Sequence, residues 1–359
     1  MTQNDIHKDD TSATEATASG IYLSGGRHQE VEGEVKFWLS RITTRTDGSD
    51  TVETISPPIF PHGFAADPNN HNRVAAFTKI GPDAVVFNME KFQAVKTIVV
   101  NPGRLFYGHG AFSTDGKLLY TTETNIENSK GYIGIRDAKT LDYLSDFPSY
   151  GHHPHDCSLR NNGKTLVVTN GGNNTTSGEL GNLSYIDIET QKLITQHKIK
   201  DGRFNAGHVE IDESGNALVI SAPRRDLSEN HLGAIHISKA KKCLKRSSSL
   251  SKIINKIIGE ALSGLIVAKH NLLLVTHPAA NMVTCWDLDL LKCRKVLKLS
   301  FPRSLALNSD QSEFIISFGS NVVVKRYQTR SLKEVENSLI ENTGISGSHL
   351  VNWLAFQKG

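Results

Sequence analysis

One unit recurs seven times along this chain, and no other feature of the sequence constrains the fold as tightly. A polar or glycine-led turn is followed by an apolar run of strand type, as in Gly163-Lys-Thr-Leu-Val-Val-Thr. The copies occupy residues 20–24, 71–77, 116–122, 163–169, 215–221, 270–276 and 311–317. Their start-to-start spacings are 51, 45, 47, 52, 55 and 41 residues. A period of about 40–50 residues is that of a propeller blade. A second series of strands follows about ten residues after the first, at 33–38, 83–88, 131–136, 181–186, 233–238, 281–286 and 321–326. Several members of it end in Asp-led turns at Asp137, Asp187 and Asp287, where the side chain can bond its own backbone. Both series count to seven, and no stretch between them sustains a helical period. The sequence therefore predicts an all-β, seven-bladed β-propeller.

The same alignment predicts how the ring closes. Six innermost strands precede the repeats, near Phe64, Phe112, Leu159, Ile211, Leu265 and Leu305, but nothing of the kind precedes Gly20. The missing strand is at the other end, in Gly347-Ser-His-Leu-Val-Asn-Trp-Leu. Pairing of the N- and C-terminal strands would complete one blade and remove the unpaired edges of an open sheet. The expected organisation is a polar, disordered tail over 1–19 and one propeller over 20–359. A basic, Ser-rich insertion at 241–252 interrupts it, followed at 253–262 by a short helix or an altered outer strand. The insertion reads as a solvated loop or as a contact for a protein partner or an anionic lipid surface.

Composition narrows the function. A formal net charge of +3 and 7% aromatics argue against a nucleic-acid partner. No apolar run approaches the roughly 20 residues of a membrane span, and residues 1–19 contain no apolar signal segment. As written the chain is expected in the cytoplasm, as a monomer. Its four cysteines (Cys157, Cys243, Cys285, Cys293) have no disulfide or metal spacing, and Cys157 and Cys285 read as buried small hydrophobes.

Histidine recurs where the innermost strands begin. His62, His109, His155, His208 and His349 all occupy that place. In a propeller these positions crowd around one mouth of the central channel, so residues remote in sequence converge. Imidazole is the commonest metal ligand and a general base near neutral pH. Several from different blades would suit iron, copper or zinc with an open position. The register is uneven: His109 and His208 lie seven residues before the turn glycines at 116 and 215, whereas His155 lies eight before Gly163. A one-residue slip reverses the face in a strand. Two readings stand side by side: a metal or catalytic cluster, and histidines that cap inner strands and bond loop carbonyls. Tyr107, Glu123 and Arg303 are further polar candidates for the rim, with a loop cap as the plainer reading of Glu123. The Asn170-Gly-Gly-Asn-Asn turn lacks a phosphate loop's lysine and helix and receives no nucleotide role.

Two segments carry a resemblance. Residues 103–123, around Tyr107-Gly-His-Gly-Ala-Phe, and 154–172, beginning Pro154-His-Asp-Cys-Ser-Leu-Arg, resemble a bacterial β-propeller family of unknown function. Gly131-Tyr-Ile-Gly-Ile-Arg and Val283-Thr-Cys-Trp-Asp-Leu are similar to it as well. Members are commonly exported by a twin-arginine signal and often encoded near imelysin-like iron-uptake proteins. The resemblance implies a periplasmic, iron-linked role, although the chain carries no Arg-Arg signal. A weaker similarity links His152-His-Pro-His-Asp-Cys and Phe301-Pro-Arg-Ser to propeller lactonases of the phosphogluconolactonase type. That similarity implies His155 as a base and Arg303 as an anion clamp acting on a lactone. A non-catalytic interaction scaffold is the third alternative, since fold alone does not decide function.

Overall fold

The middle strands of each repeat are apolar on both faces, as in Leu272–His277 and Thr165–Asn170, where every residue is buried. A strand of this kind needs a packed layer on each side. The last strands carry exposed residues instead, as in Gln93–Val99. Sheets that stack face to face around an axis satisfy both demands. A computed structural model of the chain, describing residues 18–29, 33–228, 230–239, 244–246, 256–289, 292–346 and 349–356, has this architecture.

Seven small antiparallel sheets form the ring of a β-propeller. We number the blades I to VII in chain order. Blade II runs Gly63–Asp67, Asn70–Phe77, Asp83–Asn88 and Gln93–Val99 from the axis outward. Blades III, IV, V and VI repeat this from Arg104–Phe112, Pro154–Arg160, Val209–Ile211 and Gly264–Val267. Blade VII has three strands, starting at Leu305–Leu307. On its outer side Val324 and Ile340 exchange backbone hydrogen bonds of 3.0 and 2.9 Å where a fourth strand would pair. The Asp-led turns bond as their sequence implies: Asp137 Oδ1 accepts the N–H groups of Lys139 and Thr140, and Asp187 Oδ1 that of Thr190.

The core is divided among the gaps between blades. One hydrophobic cluster fills each gap, for example Phe77 against Phe106 between II and III, and Leu274 against Phe314 between VI and VII. There are seven such clusters for seven blades, so no gap is left open and the ring is closed.

Closure falls in blade I, as the sequence predicts. Val351–Asn352 pairs with Leu23 and Tyr22 of strand Ala18–Gln29, followed outward by Val35–Arg45 and Thr51–Ile55. The C-terminal segment holds three blades together. Trp353 is 4% exposed and packs with Leu23, Phe64 and Val74 across the gap between I and II. Asn352 donates a 2.7 Å hydrogen bond to the Leu307 carbonyl of VII. The strand expected over 347–354 is shorter than the sequence suggests, because Trp353–Phe356 turns into one helical turn; residues 347 and 348 lie outside the described ones.

Two boundaries differ from expectation. The first strand opens at Ala18, and the Ser19 hydroxyl meets that of Thr44 at 2.9 Å, so the last residues of the expected tail join the sheet. Residues 1–17 lie outside the described ones. Within the expected insertion, Lys245–Arg246 pairs with Ile237 and His236 as the outermost strand of blade V. An outermost strand needs no apolar pattern, which is why a basic segment could supply it. The remainder of 241–252, apart from Leu244, lies outside the described residues. Beyond it, Ile257 and Ala261 fill the gap between V and VI. Cys157 and Cys285 are buried free thiols, as expected. No helix among the described residues is long and apolar enough to cross a membrane.

Because Trp353 fastens the closing blade to its neighbour, Trp353→Ala should destabilise the protein by about 3–5 kcal/mol. Equilibrium urea unfolding of the variant and the parent measures it. A change below about 1 kcal/mol would mean that the ring is closed by something other than this contact.

Candidate metal centre

The inner strands of blades III and IV are irregular where they meet the axis, and a hydroxyl sets the irregularity. In III the pairing jumps from Phe106–Glu123 to Gly110–Thr121, which leaves Tyr107, Gly108 and His109 opposite Thr122. The Thr122 hydroxyl takes the place of a ladder bond: it accepts the His109 N–H at 3.3 Å and lies 2.9 Å from the His109 carbonyl. In IV the jump from Pro154–Asn170 to Cys157–Val168 leaves His155 and Asp156 opposite Thr169, whose hydroxyl accepts the Asp156 N–H at 3.0 Å. The same hydroxyl donates to the Gly207 carbonyl of blade V at 2.5 Å. Thr276 and Ser317 repeat the arrangement in VI and VII, on the N–H groups of Ser263 and Ser304.

This repeat resolves the uneven register of the histidines. Counted seven residues back from the turn, the equivalent positions are His109, Asp156, His208, Ser263 and Ser304. Asp156, and not His155, stands where His109 and His208 stand. His155 occupies the preceding place, which is glycine in III and V. A bulge lets adjacent residues both reach the channel, where a regular strand would point them apart. Gly108 is needed beside it: its φ is +120°, and a Cβ there would sit 3.0 Å from the His155 ring.

All five predicted histidines converge. His62 lies with its ring centroid 5.3, 5.4, 5.9 and 4.7 Å from those of His109, His155, His208 and His349. The shortest separations are 4.1 Å for His208–His349 and 4.5 Å for His155–His208. One ring nitrogen from each of His62, His109, His155 and His208 lies within 4.8 Å of all the others.

Their partners determine which nitrogens face inward. The Tyr107 carbonyl, 3.0 Å from His155 Nδ1, can only accept, so Nδ1 carries the proton and Nε2 is bare. Asp156 stands between the other sides of His109 and His208, its oxygens 3.4 and 3.7 Å from their Nδ1 atoms. The carboxylate favours Nδ1–H on His109 and leaves its Nε2 bare; at His208 it acts by charge alone, because that Nδ1 has no hydrogen-bond partner, and it favours the same tautomer there. His109 Nε2 is buried with no hydrogen-bond partner. His155 Nε2 and His208 Nε2 are 3.3 Å apart. Two bare nitrogens at that distance repel, unless a cation lies between them or His208 moves its proton away from Asp156. In a tetrahedral site with metal–nitrogen bonds of about 2.0–2.1 Å, two ligand nitrogens stand roughly 3.3–3.4 Å apart.

All five rings hold their protons more weakly than an ordinary histidine at 6.5. Burial is the first cause in every case. The neighbouring imidazoles come next for His62, His155, His208 and His349, while the Asp156 carboxylate opposes the shift at His109. The neutral rings that result are the form that ligates a metal.

Cavities touch the cluster on two sides. One of about 620 Å³ is lined by His155 and His208 together with Lys79, Tyr107, His153 and Arg225. The other, of about 400 Å³, runs down the channel past His109, His208 and His349 to Asp156, Arg160 and Glu210. Glu210 is deep within the ring yet open to this channel, and burial with the nearby Asp156 raises its pKa to about 7 against the pull of Arg160.

The remaining candidates are dispersed. Arg303 lines a third cavity of about 840 Å³ with Arg27, Phe60 and Glu260, which meets the 620 Å³ cavity at Lys79, Ile80, Glu260 and Leu262 but does not include His155. Glu123 is neither at the rim nor a loop cap. It is fully buried and paired with Arg104 at 3.3 Å and Arg136 at 3.2 Å, inside blade III. Its place in a strand buried on both sides is what makes two guanidinium partners necessary. Asn170 is likewise fully buried, tied to Ser149, Asn182 and Ser184. Sequence pattern alone gives no role to Asp156, Lys79, Arg225 or Glu210. Aligning blades on the turn glycine would have found Asp156; the other three carry no local pattern.

Residues 58–345 match the family described as "Protein of unknown function (DUF1513)". A chain of Kuenenia stuttgartiensis hydrazine synthase superposes with a TM-score of 0.63 at 14% identity, covering 91% of this chain and 100% of that one. This likeness is one of fold. No curated protein sequence matches the chain.

The depressed pKa values make folding depend on acid. Below pH 6.5 unfolded histidines bind protons and the folded cluster does not, so stability is full above 6.5 and falls as the pH drops toward the folded values. Each ring contributes at most about 1.4 kcal/mol per pH unit. Metal-free protein should lose thermal stability between pH 7 and pH 5, and His208→Gln should flatten that slope. An identical slope in the variant would show that the cluster is not buried neutral.

Proposed function

We propose that this chain, which belongs to the DUF1513 family of proteins of unknown function, binds a transition-metal ion, iron or copper, on the imidazoles of His62, His109, His155, His208 and His349. The observation that carries this reading is the mutual approach, within 4.8 Å, of ligand nitrogens from four blades. Trans ligands on one ion are about 4.2 Å apart, from bonds of about 2.1 Å, so ligation asks the widest pair to close by about half an ångström. An all-imidazole, thiolate-free donor set suits copper, iron, nickel or zinc rather than calcium or magnesium. The ion would supply a Lewis-acidic or redox-active centre. The chain's own residues orient the ligands: Tyr107 through its carbonyl on His155, and Asp156 through His109 and His208. The resemblance to propellers linked with iron uptake is consistent with this choice of metal.

The lactonase reading draws less support from the geometry. His155 Nε2 faces the His208 ring at 3.3 Å inside the cluster and not an open substrate pocket, and Arg303 lines a different cavity. A pure scaffold would have no use for five imidazoles crowded together at one point of the channel.

Titration of metal-free protein with copper(II) or ferrous ion, followed by calorimetry and elemental analysis, should give one ion per chain. At a free-metal concentration a hundred times Kd, the fold should gain about 2.7 kcal/mol. Asp156→Asn should weaken binding by about 10–100-fold, as expected of an outer partner, and His208→Ala by more. No bound ion, or equal affinity in both variants, would overturn the proposal.

A further inference from the structure

The two sides of the histidine cluster differ in charge. The channel below holds Asp156 and Glu210, and the one cation beside them, Arg160, spends its guanidinium on the carbonyls of Leu159 and Ile211. The basin above holds Lys79 and Arg225, with Arg27 and Arg303 in its lateral extension. Its carboxylates are directed at other groups than Lys79 and Arg225. Glu260 is set against Arg303, and Asp226 is held by the N–H and hydroxyl of Thr175 and lies near Arg224. Asp83 lines only the lateral extension. Among the described residues neither Lys79 nor Arg225 makes an ion pair. Arg225 lies over the Tyr107 ring, 5.3 Å from its centroid, and donates to the Tyr107 hydroxyl. The charge of Lys79 reaches His109, His155, His208 and His349, where it opposes protonation.

A basic basin is the wrong approach for a bare cation and the right one for an anion. The acidic channel below is the side on which a bare cation is stabilised. The basin also touches the cluster directly, through His155 and His208, the two whose Nε2 atoms face each other. At about 620 Å³ it has the size of a small-ligand site. We propose that the basin binds a small dicarboxylate anion, one carboxylate completing the coordination of the bound metal from above and the other held by Lys79 and Arg225. Arginine presents a planar fork that fits a carboxylate, and lysine adds an untied ammonium. A dicarboxylate, with two anionic groups on a short frame, meets both the metal and the cationic wall. This inference rests on the metal reading and goes further, in naming the co-ligand and the side from which it enters.

The test is calorimetric titration of copper-loaded protein with malonate, and with phosphate as a second oxyanion. Parent protein is compared with Lys79→Gln and Arg225→Gln, both on exposed side chains whose thermal melts should match the parent. Malonate should bind, and each variant should weaken it about 10-fold or more. A metal-only titration in anion-free buffer, run alongside, should show copper bound no more weakly in either variant than in the parent, since neither residue is a ligand and Lys79 only opposes a cation at the cluster. Copper bound normally with no malonate binding, or malonate affinity unchanged in the variants, overturns this inference alone. Phosphate binding in preference to malonate overturns the assignment to carboxylates. Absence of copper binding in the metal-only titration overturns the metal reading, and this inference with it.

Discussion

A hydroxyl in the second strand fixes where the inner strands of several blades meet the axis. Thr122, Thr169, Thr276 and Ser317 each accept the N–H of an inner-strand residue, and Thr169 and Thr276 also donate to the inner strand of the following blade, at Gly207 and Arg303. A backbone bond would do the first task but not the second. The hydroxyl therefore sets the depth of one inner strand and its distance from the next. Since His109 and Asp156 are held by this device, and His208 follows the Gly207 carbonyl it grips, the geometry of the cluster depends on two small side chains, Thr122 and Thr169, that are not themselves among the candidate ligands.

That dependence explains how a ring can hold so many imidazoles. Each is pushed toward neutrality by burial, and neighbours add to the electrostatic cost of charging it, as His109 and His208 do at His62, His155 and His349. A flexible loop would relieve the crowding by moving a ring out to water. Here the backbone is anchored by the hydroxyls and the blades by seven apolar interfaces. Asp156 compensates in part: its N–H is taken by Thr169, one oxygen accepts the Val209 N–H at 3.0 Å, and the carboxylate still faces two histidines. It joins blades III, IV and V at the site.

Much of this was readable in the sequence, for definite reasons. Blade count, strand order and closure follow from apolar runs at a regular period, and the structure has the seven sheets and the pairing of Val351–Asn352 with Tyr22 and Leu23 that the pattern implies. The convergence of His62, His109, His155, His208 and His349 was readable too, because propeller symmetry carries equivalent sequence positions to one axis. What the sequence did not reveal depends on departures from that symmetry. The bulge at His155 and Asp156 inverts the usual face rule, so Asp156 went unassigned while its neighbour drew notice. Glu123 read as a rim or loop residue because its two arginines lie at 104 and 136, on separate strands. Lys79 and Arg225 sit in loops between strands, where no periodicity marks a side chain's direction.

The central claim is that the imidazoles share one ion, and X-ray absorption at the metal edge tests it most directly. Protein loaded with one equivalent of copper(II) at pH 7 should show at least three nitrogen scatterers near about 2.0–2.1 Å, with the outer-shell scattering of imidazole rings. Substituting His62 should reduce that outer-shell amplitude. A first shell of oxygen alone, with no imidazole scattering, would contradict the account and leave the five histidines as packing residues of the channel.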